Sequence, residues 1–165
     1  MPMVFSTEVS SDAIAQALEV LTPRAQVKVL NRMGRHQQQQ AQRRAKTRID
    51  ANGKPWATIT QRPAPKKTKR RSRIKLSQSI VFNLRGSTVL LQSTHPAAKF
   101  IQLGTRPHKI RPRKKKALYW EGAEHPVKEV NHPGTKPFDF LGISEKDEEI
   151  LLRMVADAVA ANAGG

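Results

Sequence analysis

Five histidines, at positions 36, 95, 108, 125 and 132, are the first candidates for metal or acid–base chemistry in this chain. Neutral imidazoles bind zinc well, but the spacings of 13, 17 and 7 between the last four fit no zinc framework. His95, His125 and His132 each precede a proline, a setting in which the ring caps or packs a turn. The carboxylates Glu145, Asp147, Glu148 and Glu149 crowd the start of an expected helix. There they complement the positive helix end, and no histidine stands in a fixed sequence relation to them. A nuclease would need a carboxylate cluster for magnesium elsewhere, and none is evident. The chain has no cysteine, so thiol nucleophiles, disulfides and thiolate metal sites are excluded. Phosphate loops with lysine, dinucleotide fingerprints, HExxH and GxSxG are all missing. The expectation is a protein that is not an enzyme and that takes no cofactor and no metal.

Cationic chemistry is abundant instead. Thirty Lys and Arg face 13 Asp and Glu, a net charge of +17, which points to acidic or polyanionic partners. Residues 51–120 hold 18 basic side chains and no acidic one, whereas residues 121–165 hold 4 basic and 9 acidic ones. Two runs concentrate the charge: Lys66, Lys67, Lys69, Arg70, Arg71 and Arg73, then Arg111, Arg113, Lys114, Lys115 and Lys116. Both are candidates for contact with a protein partner or with DNA phosphates, although a solvated turn is the ordinary reading of such a run. Single-strand binders interleave aromatics for base stacking, yet only Phe82 and Phe100 lie between Trp56 and Tyr119, and both are expected to be buried. Any nucleic-acid contact would then be to phosphate, without sequence reading. A basic middle and an acidic tail also suit head-to-tail association of copies.

The elements that must position these residues can be read from pattern. At 165 residues the chain suits a single domain over 1–165. The segment 62–75, with eight basic residues and no acid, is expected to be a flexible arm or loop that orders against a partner. Ile14, Leu18 and Leu21 behind Ser10, Ser11 and Asp12 predict a short amphipathic helix over about 12–21. Thr22-Pro23 opens a second helix running to about Ile49, with a stripe Val27, Leu30, Gly34, Gln38, Ala41, Ala45, Ile49 and a solvated face at Gln37 to Gln40. Alternation about Gly86-Ser87 predicts a hairpin over 78–93, and Ala97 to Leu103 closed by Gly104 predicts a two-turn helix. Short strands are expected at 107–112, 116–120 and 126–131, and Ser144 caps a final helix with a stripe Leu151, Met154, Val155, Ala158. The class is α+β: N-terminal helices, a small mainly antiparallel sheet with a hairpin, a short helix and a C-terminal helix. The start MPMVFSTEVS has neither the basic end nor the apolar core of a leader, and no run is long enough to span a bilayer, so cytoplasm and no membrane are expected.

Asn131-His132-Pro133-Gly134-Thr135-Lys136-Pro137-Phe138, followed by Leu141-Gly142-Ile143-Ser144, resembles a signature of small neck proteins of tailed bacteriophages. Asn52-Gly53-Lys54-Pro55-Trp56 and Ala97-Ala98-Lys99-Phe100-Ile101-Gln102-Leu103-Gly104-Thr105 agree with it in order. Together they are similar to the virion morphogenesis (tail completion) family of Mu-like phages and the related head-tail joining family of lambdoid phages. The resemblance implies a structural virion protein that assembles as a ring, six-fold or twelve-fold, around the DNA channel of the neck. Its neighbours would be the head connector and a tail-terminator or tail-tube protein, with the phosphates of the genomic DNA as a further partner. Location would be the host cytoplasm before assembly and the virion neck after it. Trp56, Gly104, His132, Pro133, Gly134, Pro137 and Phe138 would have structural roles, the prolines and glycine shaping a sharp loop that Phe138, Phe140 and Leu141 anchor. The alternatives are a sequence-independent nucleic-acid-binding protein and a tail terminator ring protein.

Overall fold

The computed structural model describes residues 5–9, 12–56, 75–113, 116–120 and 124–163. In chain order the elements are β1 (Phe5–Val9), α1 (Asp12–Glu19), α2 (Pro23–Thr47), a 3-10 turn at Leu76–Gln78, β2 (Ile80–Arg85), β3 (Thr88–Ser93), α3 (Ala98–Leu103), β4 (His108–Ile110), β5 (Val130–His132) and α4 (Glu145–Ala163). The fold is α+β. One sheet has the order β1-β3-β2 and is antiparallel throughout; β4 and β5 form a separate antiparallel ribbon.

Local chemistry sets the ends of α2. Thr22 adopts extended backbone angles and its hydroxyl accepts from the Ala25 N–H at 3.4 Å, while Pro23 occupies the first turn, where a missing N–H costs nothing. At the other end Arg48 takes a left-handed conformation (φ 59°) and its N–H returns to the Arg44 carbonyl. The hairpin turns at Gly86, where φ is 59°.

The core runs along α2 in two parts. Its first half packs with Ile14 and Leu18 of α1, Val89 of β3, and Leu151 and Val155 of α4. Its second half meets Ile80, Leu91, Ala98, Phe138, Phe140 and Leu141 around Ala41. Phe82 borders both parts and lies over Gly34, where a Cβ would run into its ring. Glycine therefore lets the helix approach the hairpin closely.

Several details depart from the pattern reading. The buried stripe of α2 is Val29, Leu30, Met33, Gly34, Gln37, Ala41 and Arg44, rotated from the expected one, and Val27 and Ile49 are exposed. Gln37 is fully buried rather than solvated, and the Gln38 amide donates to the Ile80 carbonyl at 2.8 Å. β1 was not anticipated; a short strand with no apolar run of its own is recruited by the open edge of β3. Residues 116–120 contribute one bridge, Leu118 to Val127, instead of a strand, and the strand expected at 126–131 begins only at Val130; Pro126, next to the bridge, has no N–H with which to extend the ladder. Phe100 is 53% exposed, contrary to the expectation that it is buried.

Candidate functional site

Three segments distant in sequence meet at one groove. Asn52–Trp56 follows α2; Asp50 shapes it by accepting the N–H groups of Asn52 and Lys54 on Oδ1 at 2.9 and 2.8 Å. The Trp56 N–H then donates to the Arg48 carbonyl at 2.7 Å. This holds the Trp56 ring flat on Phe138, centroids 4.4 Å apart and planes 7° from parallel, with the Arg48 guanidinium 5.9 Å from the indole centroid.

α3 supplies Phe100 and Ile101, and its end is stitched to the loop after β5. The Ile101 carbonyl accepts from Phe138 N–H at 2.8 Å, and Thr105 and Thr135 exchange both backbone bonds at 3.0 and 3.1 Å. This pair is in register with β4 and β5, so the ribbon extends to Thr105 and Thr135. Gly104 and Gly134 flank the pair, with φ of 71° and 86°, and a Cβ on either would collide with the Thr135 or Thr105 carbonyl oxygen of the opposite strand. Both glycines are required by conformation and by space. Gln102 completes the join: its amide donates to Asp139 and accepts the Leu141 N–H at 3.2 Å.

The resulting groove has a volume of about 600 Å³, with Trp56, Phe100, Ile101 and Phe138 as its apolar lining and Lys54, Lys136, His108 and His132 around them. His108 and His132 stack at 5.0 Å, and the His132 Nδ1 accepts the Gly134 N–H at 3.0 Å. His95 does the same for Ala97 at 3.1 Å, so two of the three His-Pro rings cap turns as expected. The one carboxylate lining the groove, Asp50, is engaged with backbone donors. The groove thus presents flat aromatics and two ammonium groups on a rim fixed by the Thr105–Thr135 pair.

Of the basic candidates, Arg111, Arg113 and Lys116 fall among the described residues, and none of these three lines the groove. Lys66, Lys67, Lys69, Arg70, Arg71, Arg73, Lys114 and Lys115 lie outside the described residues, as does the expected arm apart from Lys75. Arg111 pairs with Glu129 at 3.0 Å and Lys109 shares the same carboxylate at 2.9 Å. Hydrogen bonds from Lys109 and Arg111 hold the Glu129 carboxyl below its ordinary range. Arg113 and Lys116 are exposed, with no ion pair among the described residues.

A buried ionic cluster escaped the sequence reading. Arg44 donates to Asp147 and to the Gly142 carbonyl, and the His36 Nε2 lies 3.4 Å from the Asp147 Oδ1. Asp147 also closes a capping box, accepting the Ser144 N–H at 3.0 Å and hydroxyl at 2.7 Å, while its own N–H donates to the Ser144 hydroxyl oxygen. Burial raises the Asp147 pKa, but the Ser144 bonds and Arg44 outweigh it and hold the carboxyl below the ordinary aspartate range. The available signals were an arginine in phase with the buried face of α2 and an acid three residues after a cap serine. Among the described residues no group of three His, Asp or Glu is placed to share a metal, and no helix is long and apolar enough to cross a membrane. Set beside known proteins, the chain matches no family model, no curated protein and no solved structure.

Proposed function

We propose that this chain is a structural protein of a phage neck, a ring subunit that completes the tail and joins head to tail around the DNA channel. The observation that carries the reading is the meeting of Asn52–Trp56, Ala97–Thr105 and Asn131–Phe138 in one groove. These are the three blocks on which the resemblance to neck proteins rests. Blocks scattered over the sequence that fold into one preformed surface suit a joining protein, because a pre-organised surface avoids the cost of ordering loops on docking. The groove carries exposed aromatic surface and cations, the composition of an interface centre and its rim. The partners in this reading are further copies of the chain, a head connector, and a tail-terminator or tail-tube protein.

Mass measurement of the purified protein, alone and with tails purified from particles lacking it, tests the proposal. The expected result is a closed ring of copies on the tail end. A chain that binds neither tails nor heads, and stays a single copy with both, would refute it.

A further inference from the structure

We propose that the outward face of α2 binds the phosphate backbone of duplex nucleic acid without regard to sequence. At 100° per residue, Arg24, Lys28, Arg32, Arg35, Arg43 and Lys46 fall within an arc of roughly 100°, opposite the buried stripe. All six are exposed. From Arg24 to Lys46 the ridge runs about 33 Å, close to one turn of duplex, roughly 34 Å.

Three observations favour this ligand. The helix contains no Asp or Glu, and none of the six cations pairs with a carboxylate among the described residues. The β4–β5 ribbon differs, since Glu129 already answers Lys109 and Arg111. Like charges four residues apart, as in Arg24, Lys28 and Arg32, oppose helix formation, so the unrelieved stripe is a feature the fold tolerates rather than one that stabilises it. The ridge also borders a concavity of about 620 Å³ between α2 and Met154, to which Asn31 and Gln39 add amide groups. Apolar surface here is confined to Val27 and Met154 in the concavity, and the cationic arc itself holds no large apolar side chain of the kind on which protein interfaces are centred. A polyanion with regularly spaced charge fits this face better than an acidic protein does.

The inference does not depend on the neck reading, because it is tested on the isolated full-length chain. Anisotropy of a labelled duplex of about 30 base pairs, of arbitrary sequence, is followed between about 50 and 200 mM salt. The variants are Lys28→Gln/Arg32→Gln/Arg35→Gln and Arg111→Gln/Arg113→Gln/Lys116→Gln, which have the same net charge. The α2 variant is expected to lower the log–log salt slope by about 2.7, at about 0.9 per lost phosphate contact, and the other by clearly less. Circular dichroism should leave both folded like the parent. An equal or greater loss in the Arg111 variant would assign binding to net charge or to the ribbon and overturn the proposal. So would an α2 variant that binds DNA like the parent, including one that instead fails to self-associate.

Discussion

Asp147 accepts from the Ser144 hydroxyl and N–H and from Arg44, so three donors fix one buried charge. Its folded pKa is lowered, and an unfolded aspartate titrates near 3.9, roughly. Its contribution is therefore present above about pH 4 and is lost as pH falls through the lower folded value. Asp147→Asn should cost about 3–5 kcal/mol at neutral pH, because it leaves Arg44 buried without its counter-charge. It should also flatten the loss of stability as pH falls below about 4, which urea unfolding at several pH values would show. A variant as acid-sensitive as the parent would mean that other carboxylates dominate acid unfolding. Phe138 offers a second test. Its ring is buried against Trp56, so Phe138→Ala should destabilise by about 3–5 kcal/mol in thermal or denaturant unfolding. Melting like the parent would place the stacked pair outside the stabilising core.

At the scale of elements, α2 shows what pattern can and cannot reveal. Its N-cap was legible because Thr22-Pro23 is local chemistry, and so were the hairpin turn and the Ser144 cap of α4, whereas the left-handed end at Arg48 was not. The rotation of its buried face was not. The apolar residues are too sparse to set the phase, and burial of Gln37 and Arg44 depends on groups far along the chain, Asp147 among them. The three blocks of the groove were legible as strings, but their meeting depends on the ribbon pairing Thr105 with Thr135, which no local pattern announces. Alanine favours helix over glycine by about 1 kcal/mol, yet at position 34 its Cβ would strike the Phe82 ring. Gly34→Ala is expected to lower stability by about 1–3 kcal/mol, the usual cost of overpacking. A rise in melting temperature would show that Phe82 moves aside freely.

Over the whole molecule the charge is divided. The α2 face and the chain from 51 to 120 are basic, and the last 45 residues are acidic on balance. Asp147 turns inward, which leaves Glu145, Glu148 and Glu149 exposed at the start of α4 as the acidic side of a head-to-tail contact in the proposed ring. Glu148→Lys with Glu149→Lys should weaken assembly and leave the monomer folded. Added salt should act in the same direction, since exposed charges are screened over about 8–10 Å. Assembly indifferent to both would place the contact on apolar surface such as Phe100 and Leu103, which are 53% and 55% exposed.

The neck proposal and the groove meet in one measurement. Heads and tails from particles lacking the protein are mixed with purified wild type or with Phe100→Ser, and joined particles are counted by electron microscopy. Phe100 is exposed on the groove, so the variant should melt like wild type. Wild type is expected to join heads to tails, and Phe100→Ser to need at least about tenfold more protein, the penalty for losing an aromatic anchor. Heads and tails that stay separate with wild type, or join as well without it, would contradict the account.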